Sequence, residues 1–278
     1  MRNDEHARVP DLCEPAWLMP DWPSPPGVHA LSTLRTGGVS LVPYESLNLG
    51  AQVGDDPASV AINRRRLAML AGLPTEPSWL TQVHGNGVVA LAGALSTAGL
   101  PTGGTPSATP AQADASWTRS PAQVCAVLTA DCLPVLFATE SGDAVAAAHA
   151  GWRGLSCGVL EATVKALAVA PATLLVWMGP AIGPKHFEVG PEVREAFLRE
   201  DAGAVAAFKQ NSRGRWMADL FLLARRRLVS LGVTRIYGGS ECTYSQGKRF
   251  FSHRREGPTG RQATLIWISE AAIELGPG

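Results

Sequence analysis

Three short segments carry side chains able to do chemistry: T-Q-V-H-G at 81–85, T-A-D-C-L-P at 129–134 and A-H-A-G-W-R-G at 148–154. Each places a metal ligand or nucleophile (His84, Cys132 or His149) where a strand-like run ends. Strand ends are where side chains from several elements converge on a site. Two imidazoles and one thiolate on a zinc leave the fourth tetrahedral position open, the pattern of a catalytic ion rather than a structural one. The same residues also read as a Cys132 nucleophile with His149 as its base, a dyad sufficient for acyl transfer. The bland reading is a buried apolar cysteine and two hydrogen-bonded histidines. The long gaps between the three match no zinc-finger spacing, so the sequence pattern alone does not choose.

Neighbouring residues add to the candidate site. His149 is followed by the glycine-bracketed turn Gly151-Trp152-Arg153-Gly154, which leads into a helix whose free N–H groups can receive an anion beside the histidine. Arg153 would add charge there. Gln82, two residues before His84, shares its face in an extended segment and is a candidate pocket donor. Asp131 is expected to point away from Cys132 by the same alternation and to make a structural hydrogen bond. Asn48, in S-L-N-L-G, reads as a turn residue, His186 and His253 as surface or substrate-edge residues, and Cys242 as core.

The elements that must position these residues follow from periodicity and caps. Gly27–Arg35 reads as a strand. Asp56 caps a helix that has Pro57 at its first position and Gly72 as its stop. Trp79–His84 and Val88–Leu91 read as a hairpin joined at Gly85-Asn86-Gly87. Val124–Ala138 is strand-rich, with Pro134 predicting a break or a sheet edge. Ala144–His149 is a strand of small residues, followed by a helix from the 151–154 turn to Ala168. Leu174–Met178 is a strand. Pro191 opens a helix with Glu192 and Glu195 in its first turns, and Asp219 caps another that Gly232 ends. Arg235–Tyr237 and Ala263–Ile268 are the last strands. The expectation is an α/β (α+β) mixed-sheet sandwich covered by helices. It comprises an N-terminal tail (1–26) and a single catalytic domain (27–278), with 92–113 as a surface loop.

Composition narrows the function classes. The 24 Lys+Arg against 24 Asp+Glu give a formal net charge of +0, which argues against nonspecific binding to nucleic acid or an anionic membrane. No apolar run approaches the roughly 20 residues of a membrane span, and the N-terminus has no signal-peptide pattern. The cysteines number 5 and never pair as C-x-x-C, which fits a reducing cytoplasm.

From about Gly27 to Ile268 the chain resembles a family variously labelled laccase-domain or multicopper polyphenol oxidase proteins, bacterial purine nucleoside phosphorylases, and peptidoglycan editing factor. The segments that carry the resemblance are S-T-L-R-T-G-G-V-S (32–40), S-L-N-L-G (46–50), W-L-T-Q-V-H-G (79–85), T-A-D-C-L-P-V-L-F (129–137) and A-A-A-H-A-G-W-R-G-L (146–155). Further on come G-P-A-I-G-P-K-H-F-E-V-G (179–190), C-T-Y-S (242–245) and F-F-S-H-R-R-E-G-P-T-G-R (250–261). The resemblance implies that His84, Cys132 and His149 are the metal-binding and catalytic set, and that the fold is related to cysteine-hydrolase-like folds. It also implies zinc-dependent phosphorolysis of purine nucleosides (adenosine, inosine, methylthioadenosine), with adenosine deamination as a companion activity. Arg35 and Arg153 are then candidate phosphate contacts, the partners are nucleoside and phosphate, and the protein acts as a monomer or homodimer. Multicopper laccase chemistry fits poorly, because it needs a histidine-rich trinuclear cluster beside a blue site, and the chain has His 6 in all with no H-x-H pair. Copper could still replace zinc on the three ligands. The alternatives are a Cys132–His149 hydrolase of cell-wall precursors and a metal-dependent binding module.

Overall fold

The computed structural model describes residues 17–91, 110–121 and 123–269. Its strands are β1 (Trp17–Leu18), β2 (Val28–Thr33), β3 (Val88–Ala90), β4 (Ala115–Thr118), β5 (Val124–Thr129), β6 (Leu133–Thr139), β7 (Val145–Ala150), β8 (Leu174–Met178), β9 (Glu188–Val189), β10 (Phe208–Gln210), β11 (Trp216–Ala218), β12 (Arg235–Gly238) and β13 (Gln262–Ile268). The α-helices are α1 (Pro57–Ala71), α2 (Trp152–Ser156), α3 (Val159–Leu167), α4 (Pro191–Leu198), α5 (Leu220–Ser230) and α6 (His253–Glu256). No helix among the described residues is long and apolar enough to cross a membrane.

Alternation along the strands explains the layering, because both of its phases are buried. In β6, Leu133, Val135 and Phe137 face one cluster, which also holds Leu160, Val164 and Leu167 of α3, Val193 and Phe197 of α4, and Leu223 and Leu228 of α5. Leu136 and Ala138 of the same strand face a second cluster with Val127 of β5 and Ile266 of β13. A third cluster joins Val124, Ala126 and Leu265 to Leu67 of α1. The layers are therefore helices α3–α5, a mixed six-stranded sheet (β12-β8-β6-β7-β4-β3), an antiparallel four-stranded sheet (β1-β2-β13-β5), and α1 with its loop. Two sheets stacked face to face with a helix layer on each outer side form the expected mixed sandwich.

Several details differ from the sequence reading. The region expected as a tail is packed from Trp17 on: β1 pairs with β2, Trp22 is buried between the sheets, and Trp177 Nε1 donates to Asp21 at 3.0 Å. Most of the loop placed at 92–113 lies outside the described residues. The helix expected up to Ala168 is two helices, because Gly158 turns left-handed at φ 88° and breaks α2 from α3. Pro134 is neither a break nor an edge. It is the second residue of central β6, close enough to the strand start for its missing N–H to be tolerated.

Helix α1 begins and ends as its sequence directs. Asp56 accepts from Ala58 N and Ser59 N, and Gly72 closes the helix at φ 59°. Its buried face carries Asn63, whose Oδ1 accepts from Val39 N at 2.9 Å. The Asn63 Nδ2 donates to Ser40 Oγ, Ser46 O and Asn48 O at 2.9, 3.1 and 2.9 Å. One amide thus pins the 38–50 loop to the helix. Asn63→Ala leaves Val39 N and Asn48 O without this partner, while Ser46 O keeps Ser40 N and Ser40 Oγ keeps Asp55, and each net hydrogen bond or buried orphan is worth about 1 kcal/mol. The expected result is a loss of roughly 2–4 kcal/mol in urea unfolding with an unchanged m-value; a loss below 1 kcal/mol would show that water replaces the amide.

Candidate metal centre

Three strand ends meet at one end of the sandwich. The antiparallel register sets Leu133 of β6 opposite Ala150 of β7, and Pro134 opposite His149, so Cys132, just before β6, stands beside the end of β7. Asp114 precedes β4, whose Ala115 pairs with Ala148, and Asp114 O accepts from His149 N at 2.7 Å. His84 arrives on an irregular segment held to residues 111–113 by Thr81 N donating to Ala111 O and Ala113 N to Thr81 O. That segment is not half of a hairpin: β3 pairs with β4 in parallel.

The ligand atoms of His84, Cys132 and His149 all lie within 4.8 Å of one another, and the two imidazoles meet edge to face with centroids 4.8 Å apart. A tetrahedral zinc with N and S ligands at ~2.1–2.3 Å requires ligand-to-ligand edges of about 3.5 Å, so the donors fit one ion after slight closure. His149 is buried, Cys132 half-buried and His84 exposed, so the accessible face of the cluster is the His84 side. The glycine turn serves this packing. A Cβ on Gly151 would fall 2.9 Å from Cys132 Sγ and 3.2 Å from His84 Cδ2, and one on Gly154 would fall 2.7 Å from Gly85 O.

Asp114 holds the arrangement and escaped the sequence reading. It is fully buried. Its Oδ1 accepts from His84 N at 2.9 Å and faces His149 Nδ1 at 2.8 Å. Its Oδ2 accepts from Gly85 N at 2.7 Å and Val83 N at 3.2 Å. With Nδ1–H donating to the carboxylate, His149 Nε2 is the nitrogen left for a metal, the carboxylate–histidine–metal pattern. The same carboxylate fixes the turn that carries His84 at φ 60°, a left-handed conformation unusual for a side-chain-bearing residue. A signal was present in A-D-A-S-W at 113–117, an aspartate directly before a buried strand.

Burial opposes charge on all three central groups, and the groups offset it for one another. Burial raises the Cys132 thiol, but the His149 charge and hydrogen bonds from His149 and His84 bring it down to about 6. Burial lowers His149, but the Cys132 thiolate and the Asp114 carboxylate lift it to about 9. Burial likewise raises Asp114, while His149 and the Gly85 and His84 N–H groups hold its carboxyl below the usual carboxylate range. A thiolate already formed near neutral pH is the form that binds metal.

The other candidate residues are placed as follows. Arg35 Nη1 pairs with Glu256 at 2.5 Å and donates to Gly247 O at 3.0 Å, and its guanidinium lies 4.8 Å over the Phe251 ring. Gln82 clamps Leu128: its Nε2 donates to Leu128 O at 2.8 Å and its Oε1 accepts from Leu128 N at 2.7 Å. Arg153 is exposed and lies 4.5 Å over Trp152. Asp131 is structural as expected, accepting from Thr243 Oγ1 at 2.6 Å and Arg254 N at 2.7 Å. The reason is different, because it sits in a turn at φ 99° rather than in a strand. Asn48 bonds Gly50 N and Arg261 N, both at 2.9 Å. His186 stacks on Tyr244 and His253 is exposed. Cys242 is half-buried rather than core and accepts from Gly183 N at 3.2 Å.

Residues 29–269 match the family model described as multi-copper polyphenol oxidoreductase laccase. The chain belongs to that family. Among the family's proteins, it is 53% identical to the purine nucleoside phosphorylase YfiH of Escherichia coli over 90% of this chain and 98% of that one. It is 48% identical to a purine nucleoside phosphorylase of Haemophilus influenzae, over 90% and 98%. The crystal structure of a Neisseria meningitidis protein superposes with a TM-score of 0.84 at 44% identity, covering 92% of this chain and all of that one. That of YlmD from Geobacillus stearothermophilus superposes with a TM-score of 0.82 at 32% identity, over 92% and 97%.

Two measurements check the centre in this family member. Asp114→Asn keeps the volume but sets an NH2 group against N–H donors. It is expected to weaken metal binding by about 10- to 100-fold in competition with a chromogenic chelator; unchanged affinity would remove Asp114 from the centre. In metal-stripped protein, iodoacetamide labelling of Cys132 should rise through about pH 6, set by its lowered pKa, and metal should abolish it. A midpoint near pH 9 would mean that no thiolate–imidazolium pair forms.

Proposed function

We propose that the protein is a zinc-dependent purine nucleoside phosphorylase that cleaves adenosine, inosine and methylthioadenosine. The observation that carries this reading is the open-sided His84–Cys132–His149 cluster, whose exposed face is the His84 side. The relatives named purine nucleoside phosphorylase support it. In this reaction the glycosidic C–N bond breaks, a phosphate oxygen bonds to the anomeric carbon, and the purine nitrogen leaves with a proton. The transition state is oxocarbenium-like, as in glycoside cleavage. Zinc, when bound, supplies Lewis-acid polarisation of an oxygen at the open position. His84, Cys132 and His149, the last oriented by Asp114, would hold the ion. Arg153, exposed on the turn after Gly151, would add charge for the substrate. In the companion deamination of adenosine, water adds to purine C6, the C6–N6 bond breaks and ammonia leaves, giving inosine.

Laccase chemistry finds no support in the histidines. Among the described residues, His29 stacks on Trp267, His186 on Tyr244, and His253 bonds Gly257 O, so a trinuclear copper cluster has no ligand set. A second reading does rest on an observation. Cys132, His149 and Asp114 are linked in nucleophile, base and orienter order, which suits a hydrolase. Metal and nucleophile compete for the same thiolate, so the two readings separate cleanly.

Purified metal-loaded protein, incubated with each nucleoside, is expected to release free base and ribose 1-phosphate (methylthioribose 1-phosphate from methylthioadenosine) only when phosphate is present. Cys132→Ala and His149→Ala should each reduce turnover by at least about 100-fold. Free alkylation of Cys132 in the metal-loaded protein, or turnover retained in Cys132→Ala, would overturn the metal reading.

A further inference from the structure

Arg261 is the residue immediately before β13, and the register there decides what it stands beside. Gln262 pairs with Thr129 at the end of β5, and the chain beyond Thr129 runs through Ala130 and Asp131 to Cys132. Arg261 is therefore carried to the flank of the turn that presents the thiolate ligand. Its backbone is fixed on the other side, with Arg261 N donating to Asn48 Oδ1 at 2.9 Å and its carbonyl accepting from Leu49 N at 3.1 Å. The side chain crosses Gly50 so closely that a Cβ there would lie 2.8 Å from Arg261 Cγ.

The guanidinium is only partly satisfied. Nη1 donates to Thr259 O and Gly260 O at 2.8 and 3.0 Å, and Nε and Nη2 have no protein acceptor among the described residues. Three other half-buried arginines have carboxylates, Arg35 and Arg255 sharing Glu256 and Arg249 pairing with Glu241, while Arg64 spends its donors on Leu49 O. Arg261 has no carboxylate in salt-bridge contact among the described residues. Burial pulls its pKa below the usual guanidinium value, and the Cys132 and Asp131 charges act against that pull, so the cation lies within electrostatic reach of the cluster. A partly buried cation with two free donors on one edge of its fork matches a tetrahedral oxyanion, which it can grip bidentately.

We propose that Arg261 is the phosphate-binding residue of the centre, presenting Nε and Nη2 to the co-substrate beside the metal. The inference rests on the phosphorolytic reading for its ligand, and it adds to the anion contacts a residue that the strand-end pattern of the sequence did not single out.

The test uses the full metal-loaded chain, with Arg261→Met to remove the charge while keeping the stem over Gly50, and Arg261→Lys to keep the charge without the fork. Inorganic phosphate is titrated directly, by calorimetry and by 31P line broadening on cobalt-loaded protein, and KM is measured separately for phosphate and for inosine. Arg261→Met is expected to weaken phosphate by about 10- to 100-fold in both Kd and KM, with the inosine KM within about two-fold. Arg261→Lys should fall between the two and carries the test if Arg261→Met does not fold. Phosphate affinity unchanged in the folded variants overturns the proposal, as does a change confined to the inosine KM. If wild-type protein cleaves no nucleoside, the phosphorolytic reading fails by itself, while the direct phosphate titrations still decide the role of Arg261.

Discussion

The centre depends on how one buried carboxylate is satisfied. A charge without partners inside a protein is prohibitively costly, and Asp114 is fully buried, so its environment must supply donors from fixed directions. Three come from consecutive backbone N–H groups at Val83, His84 and Gly85, and the fourth from the His149 ring. Consecutive N–H groups converge on one point only when the backbone curls, and the left-handed φ at His84 is that curl. Satisfying Asp114 therefore shapes the loop, sets the tautomer of His149 and brings two ligands from opposite sides onto one spot.

The sandwich supplies the rigid ends on which this happens. In β7, Val145 and Ala147 face the second sheet while Ala146, Ala148 and Ala150 face the helices. His149 shares the phase of Val145 and Ala147, so it points into the inter-sheet layer at the place where that layer runs out. The small residues of β7 let the α2 turn press against the strand end. Gly151 and Gly154 extend the same economy of volume to the ligand thiol and the His84 loop. Side chains of ordinary size at those two positions would displace the ligands rather than merely crowd the surface.

Much of this was legible in the sequence because its signals are local. The Asp56 cap, the Gly72 stop and the strand at Leu174–Met178 follow from chemistry within a few residues of each boundary. The three ligands showed as polar residues interrupting apolar strand ends. What failed was non-local. The 79–91 region carries a hairpin-like turn, yet β3 joins the sheet beside β4, a choice made by sheet edges that no short segment encodes. Asp131 bends at φ 99° where alternation assumed a strand. The partners of Gln82 and Arg35, Leu128 and Glu256, are likewise distant in sequence. Asp114 was hidden for the converse reason, since its three loop donors are main-chain N–H groups and main chain leaves no mark in a sequence.

Charge around the centre bears on the phosphate co-substrate proposed for the site. Without metal, the Cys132 thiolate and Asp114 carboxylate face the His149 cation. A divalent ion held there would take the place of that proton, and the thiolate and the carboxylate would match its two charges. Arg261 is half-buried, has no carboxylate in salt-bridge contact among the described residues and feels the Cys132 and Asp131 charges, and Arg153 stands at the rim. A guanidinium with free donors favours an anionic partner. The proposed phosphate would supply charge and two acceptors for the guanidinium fork, whereas water carries no charge.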